Sequence, residues 1–260
     1  AQRLLDASDG ALAAAGRQMP ETRFLRSEII AVKMRPGGRE IEHVETHAPG
    51  SLEFRPNTPA QRRRTLEGER LWIGYGPKNH IESFLASNVT TRTEPNAEER
   101  KRKRAVAVTS SRRLRAQFTP AGQLARLEQW EDFRYQAGDR KARAERATLE
   151  QASNLLVLEG RARVEDATGS TAADHITLNQ ESGDFSASGK VNSSRLPDPK
   201  PGTGVLSGQE PLQAVAETMT STRGNRLIVY EGGAVLWQGA NRVQADRVEI
   251  DRQGRTLLAQ

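Results

Sequence analysis

The chain has 260 residues, a formal net charge of +6 and 35% hydrophobic residues, of which few are aromatic. That length allows one large domain or two ordinary ones. It contains no cysteine, which excludes disulfides, thiolate metal sites and cysteine nucleophiles.

The basic excess points to anionic partners such as nucleic acid, phosphorylated lipid or an acidic surface. The plainer alternative is a solvated basic surface. No apolar run approaches the ~20 residues that span a bilayer. The opening AQRLLDASDG lacks the basic start and apolar stretch of a signal peptide. The chain is expected to begin and to end partway through a repeat.

In chain order, ALAAAG at 11–16 has helix propensity but sits where a strand and turn are expected. SEIIAV at 27–32 and GERLWI at 68–73 share a pattern: a small residue, an acid, then alternating apolar positions. Turns are expected at PGG (36–38) and GPKN (76–79). A basic insertion or linker, 94–110, separates a first half (1–93) from a second (111–260). SRRLRA at 111–116 is a degenerate copy of the pattern, and PAG at 120–122 is a turn. AERATL at 144–149, ADHITL at 173–178, AETMTS at 216–221 and ADRVEI at 245–250 continue the series. Further turns are ESGD (181–184) and DRQG (251–254), with a Pro/Gly loop at 195–210.

The spacing is regular. Ala144 to Ala173 is 29 residues, and so is Ala216 to Ala245. Sixteen residues after Ala144, Ala173 and Ala216 come Gly160, Gly189 and Gly232. Around those glycines the apolar period is two. Leu156, Leu158, Ala162 and Val164 alternate, then Phe185, Ala187 and Val191, then Ile228, Tyr230, Ala234 and Leu236. Leu71/Ile73, Ile176/Leu178 and Val248/Ile250 alternate in the acid-bearing strands. A period of two is that of a strand. The charged run from Arg126 to Gln151 is therefore read as strands, not as a helix.

Each unit is two strands of roughly ten residues joined by a turn. A glycine recurring mid-strand bends every rung alike and curls the sheet into a trough. The fold class that follows is all-β: an elongated array of hairpin repeats of about 29 residues, curled into a trough or sandwich.

YEGGAVLWQG followed by QADRVEI resembles the signature of the OstA-like family, the group of LptA, LptC and the periplasmic domain of LptD. Tyr230, Gly232, Gln238, Gly239, Ala245, Asp246, Val248 and Ile250 carry it. Gly233 and Ala234 stand where the family commonly has Asn and Val. The resemblance implies an elongated, twisted β-jellyroll of two facing antiparallel sheets that carries lipopolysaccharide across the Gram-negative periplasm, with acyl chains in a partly open hydrophobic slot. The module would be part of a bridge from inner to outer membrane, joined end to end to other Lpt jellyrolls by strand pairing. It implies no enzyme activity, no cofactor, no nucleic acid and at most peripheral membrane contact. The slot lining expected from it is the alternating apolar set named above. The alternatives are a structural or carbohydrate-binding β-solenoid, or a repeat-built polysaccharide hydrolase or lyase.

Four other constellations stand beside this reading. The acids Glu28, Glu69, Glu145, Asp174, Glu217 and Asp246 fit paired catalytic carboxylates less well than turn or strand-entry residues that hydrogen-bond backbone. His43 and His47 would lie about 13 Å apart on a strand, too far for one ion. QRRRT (61–65) and EERKRKR (98–104) are solvated, or meet anionic headgroups through arginine forks. Trp72, Trp130 and Trp237 line or cap the slot, or pack in the core.

Overall fold

A computed structural model describes residues 21–197, 210–222, 224, 226–254 and 256–260. The strand and turn expected at 11–16, and most of the Pro/Gly loop, lie outside the described residues. The chain forms two compact units that meet in sequence between Gly138 and Asp139. Both are built from antiparallel strands, so the all-β reading holds.

In the first unit, β1 (Glu21–Ser27) and β2 (Ile30–Met34) are consecutive pieces of one extended run broken at Glu28. So are β3 (Ile41–Thr46) and β4 (Gly50–Pro56), and β5 (Arg64–Gly68) and β6 (Arg70–Tyr75). β7 (Ile81–Thr93), β8 (Ala107–Phe118) and β9 (Leu124–Ala137) continue through the same level without breaking. The early half of β7 pairs with β6, and its late half pairs with β5. Two layers result, β1-β4-β5 on one side and β2-β3-β6 on the other, both joined to β7 and its successors. Leu52 and Leu66 of one layer share a core cluster with Val44, Ile73 and Phe84 of the other.

Between β7 and β8 lies the 94–110 stretch expected as a basic insertion. It holds a short helix, α1 (Ala97–Lys101), and the start of β8. Asn96 caps α1 by accepting from the Glu99 backbone, while the Glu99 carboxylate accepts from the Asn96 backbone. This reciprocal pair satisfies helix-end donors that would otherwise be unpaired.

The second unit is a plain meander: β10 (Arg140–Glu150), β11 (Leu155–Asp166), β12 (Gly169–Asn179), β13 (Phe185–Arg195), β14 (Leu212–Thr222), β15 (Leu227–Gln238), β16 (Asn241–Asp251) and β17 (Thr256–Ala259). Each strand pairs with the next. The charged run from Arg126 to Gln151 forms most of β9 and β10, as its repeat phase predicts.

From β10 to β16 every register slips at the same level. Gly160 and Arg161 bulge opposite Asp174 alone, between the pairs Glu159–His175 and Ala162–Ala173. Gly189 and Lys190 do so opposite Glu217. Gly232 and Gly233 do so opposite Asp246. Both residues of each bulge are left-handed: φ is 76° and 49° at Gly160 and Arg161, 76° and 54° at Gly189 and Lys190, 84° and 67° at Gly232 and Gly233. Buried side chains are therefore four apart across the bulge (Leu158 to Ala162, Ala187 to Val191, Tyr230 to Ala234). On the acid strands they are three apart (Ala144 to Ala147, Ala173 to Ile176, Ala216 to Met219). One extra residue on alternate strands turns every strand through the corner and keeps both halves facing inward.

The sixteen-residue ruler has its cause here. A Cβ on Gly160 would lie 2.6 Å from the Glu145 carboxylate, and one on Gly189 would lie 2.8 Å from that of Asp174. On Gly232 it would meet Glu217 Cβ at 2.5 Å. The acid of one strand crosses over the bare glycine of the next. Gly233 differs, because a Cβ there meets nothing within 4 Å.

The corner therefore makes a paired prediction. Gly232→Val should lower stability by about 2–4 kcal/mol, through left-handed strain and overlap with Glu217. Gly233→Asn should change it by less than about 1 kcal/mol, since asparagine tolerates that conformation. Urea denaturation of the two variants decides the point, and equal losses would refute this account of the corner.

Candidate functional site

The corner leaves inward-facing side chains in ladders that run across the strands. In one layer of the second unit, Ala147, Leu158, Ile176, Ala187, Met219, Tyr230 and Val248 stand opposite one another in successive strands. One step further from the corner run Leu149, Leu156, Leu178, Phe185, Ser221, Ile228, Ile250 and Leu257. The other layer carries Ala142, Val164, Thr171, Ser193, Ala214, Leu236 and Val243. Tyr230 of the first layer and Ser193 of the second share a buried hydroxyl hydrogen bond of 2.8 Å, which spans the interior. Burial pushes the Tyr230 phenol pKa up, against the lowering effect of Ser193. Tyr230 thus stays neutral and joins the layers through a hydrogen bond.

The expected lining residues separate into two groups. Leu71, Ile73, Leu158, Ala162, Ile176, Ala187, Val191, Ile228, Tyr230, Ala234, Leu236 and Val248 are buried. Leu156, Val164, Leu178, Phe185 and Ile250 are half-buried and lie nearer the strand ends. The first group closes the space beside the corner, and the second forms an apolar lip. Alternation alone does not separate the groups, because both obey the same period, and Ile228 and Leu236 are buried at the same distance from Gly232 at which Leu156 and Val164 are half-buried around Gly160.

The tryptophans fall elsewhere than expected. Trp72 sits between buried Leu71 and Ile73, and Trp237 between buried Leu236 and Gln238. Both therefore point to the outer face, as does Trp130 next to buried Gln129. The Trp72 ring stacks on His43 at 5.6 Å. Asp174, Glu217 and Asp246 lie opposite the bulges in mid-strand, not at turns or strand entries. Asn88 donates to Glu69 at 2.7 Å, and Arg161 donates to Glu145 at the same distance. Among the described residues, no group of three His, Asp or Glu side chains is placed to hold a metal ion.

The degenerate copy SRRLRA has its charges exchanged. Between the pairs Ser110–Arg134 and Arg113–Trp130, β8 supplies Ser111 and Arg112 where other acid strands have Ala and an acid. The left-handed positions opposite are the acids Glu131 and Asp132, with φ of 62° and 66°.

Sequence reasoning left the two basic clusters apart, and folding brings them together. Arg62 bonds Glu99 of α1 through two guanidinium nitrogens, and Arg104 pairs with the same carboxylate at 3.2 Å. Beside them Glu53, only 4% exposed, receives Arg26, Arg55 and Arg63 at 3.0 to 3.3 Å. Arg55 also lies over the Phe24 ring at 4.5 Å.

Comparison with known proteins now bears on the interior. Residues 60–184 match the family described as LptA/(LptD N-terminal domain) LPS transport protein. This segment belongs to the OstA-like Lpt family. It runs from β5 of the first unit through the corners of β11 and β12 in the second. A crystal structure of LptH, the LptA homologous periplasmic component of the conserved lipopolysaccharide transport device from Pseudomonas aeruginosa, is similar over 46% of this chain and 80% of its own. Its identity is 17% and the TM-score 0.40. No curated protein matches the chain. No described helix is long and apolar enough to cross a membrane.

Glu53 makes the acid behaviour of the first unit predictable. Burial alone would raise its pKa, but hydrogen bonds from Arg26, Arg55 and Arg63 outweigh burial and bring it down to about 2 from 4.5. A carboxylate depressed on folding adds stability above its unfolded value and loses it as pH falls. The contribution should be complete above about pH 5, decline between 4.5 and 2, and vanish below that window. Glu53→Gln should cost roughly 1–3 kcal/mol near pH 7 and much less near pH 3, because it leaves three arginines around a neutral amide. Urea midpoints of both proteins at the two pH values test this, and a gap that fails to narrow in acid would overturn it.

Proposed function

We propose that the chain carries lipopolysaccharide by lodging its acyl chains against the inward ladders, as one module of a bridge between the membranes. The observation that carries this reading is the set of inward ladders of a two-layer fold, apolar in one layer apart from Ser221, within and beyond a segment of the lipopolysaccharide transport family. No catalytic group is needed. Burying one twelve-carbon chain contributes on the order of 9 kcal/mol before losses, at about 0.8 kcal/mol per CH₂. Passing the lipid onward then requires only similar affinity in the next module.

The half-buried lip is where a chain would enter. Leu156, Leu178, Phe185 and Ile250 already expose apolar surface along one line across the strands. The residues beside the corner are closed on one another, so deeper entry requires the layers to part. In the second unit that parting breaks the Tyr230–Ser193 hydrogen bond.

The strand edges support the end-to-end partner reading. Among the described residues β1 and β2 each pair with one strand, and β17 pairs only with β16. Four of the large apolar side chains exposed in the described residues, Ile29, Met34, Leu257 and Leu258, lie on or beside these edges. Exposed apolar edges are normally an aggregation hazard. As docking edges for a neighbouring jellyroll they are covered by strand addition.

A photoreactive residue placed at Leu178, Phe185 or Ile250 should crosslink purified lipopolysaccharide, while one at exposed Arg134 or Lys141 should not. Lip positions that never crosslink, under conditions where a known carrier does, would refute the lipid reading in favour of a closed structural β-solenoid. Tyr230→Phe should leave the fold intact at a cost of about 1 kcal/mol and raise crosslinking from Leu158, since the tie between the layers is removed.

A further inference from the structure

The outer face of the first unit has a concavity that the interior reading does not use. It has a volume of about 370 Å³ and lies where the segment after β4 meets the segment between β7 and α1. Arg55, Arg63 and Arg100 reach it, together with Glu94, Gln61 and Asn96. Its walls include Pro56, Pro59 and Pro95, whose fixed φ stiffens both segments. We propose that this cleft binds a phosphate group.

The charge balance carries the argument. Glu53 is one carboxylate shared by Arg26, Arg55 and Arg63, so those guanidinium groups keep a net positive charge after pairing. Glu94 is set 3.7 Å from Arg92, outside the cleft lining, which offsets its charge. Glu99 is taken by Arg62 and Arg104. Arg100 adds a third guanidinium to the cleft, exposed, with no side-chain partner among the described residues. Arginine forks match phosphate oxygens in geometry and charge. Glu53 holds two of the three forks in place before any ligand arrives, so little ordering is left to binding.

The shared chemistry is a phosphate monoester or diester, and its source is either a lipid headgroup or a soluble phosphate. The inference is independent of the acyl-chain reading, because it concerns the outer face of a different unit from the lip described above.

The test uses the full chain. Inorganic phosphate is titrated while amide NMR shifts are followed, and vesicles of phosphatidylcholine with or without phosphatidic acid are used in flotation. Saturable shifts at Arg55, Gln61, Arg63 and Arg100 are expected. Arg100→Glu should weaken phosphate binding by about tenfold or more, the effect of losing one charge-assisted contact and adding repulsion. Lys101→Ala, one residue away and paired with Glu98, should change it less than about twofold. Retention on phosphatidic acid vesicles that Arg100→Glu abolishes assigns a lipid headgroup. Phosphate binding without vesicle retention assigns a soluble phosphate. Shifts spread evenly over the basic surface, equal losses in both variants, or no saturable binding would overturn the proposal. Circular dichroism of both variants confirms that the fold is retained, and phosphate binding does not depend on whether the lip crosslinks lipid.

Discussion

The fold depends on one close approach: an acidic side chain on one strand crossing the bare backbone of a left-handed glycine on the next. Gly160 against Glu145, Gly189 against Asp174 and Gly232 against Glu217 repeat it through the second unit. The glycine has two requirements that no other residue meets together: positive φ and no Cβ. Its neighbour meets only the first, so arginine, lysine or glycine can stand there. That explains why Gly233 can occupy a place where the family commonly has asparagine. The ion pairs above the corners, such as Arg161 with Glu145, are largely exposed and add little stability. The backbone geometry turns the strand, and the charges decorate it.

From that corner the interior follows. A bulge of one residue keeps the inward face inward on both sides of the bend, so one strand contributes to two opposed layers. Beside the bend the buried side chains are mixed in size: Ala147, Ala162, Ala173 and Ala234 stand with Leu158, Ile176, Met219 and Tyr230. Toward the strand ends lie the half-buried Leu156, Leu178, Phe185 and Ile250.

Much of this was legible in the sequence because the corner constrains residue type at fixed offsets. The sixteen-residue step from Ala to Gly records a cross-strand contact, and period two records the strands on either side. The three-residue step on the acid strands was harder to read. Ala173 to Ile176 looks like a lapse in alternation until the bulge opposite is known. The outward tryptophans were misjudged because a large aromatic residue signals burial by composition, whereas its face is set by parity with Leu71 and Leu236. The joining of QRRRT with EERKRKR was not legible, since Arg62 and Glu99 are distant in sequence and meet only because β5 and β7 pair. In SRRLRA the corner kept its geometry while the charges changed sides, so a motif defined by an acid recognised it only faintly.

The same two-layer construction separates the chemistry of the molecule. Strand alternation on either side of each corner leaves charged side chains outside, so the interior stays uncharged however basic the surface becomes. Glu53 shows the limit of that rule. It is buried on the outer face of its layer, beneath arginines and beside Phe24, and remains ionised because three guanidinium groups reach it. Replacing it with an apolar residue would leave Arg26, Arg55 and Arg63 repelling one another over a small area. The buried carboxylate is therefore what allows so much positive charge to be concentrated on one patch of the first unit, with enough left over for an anion to meet.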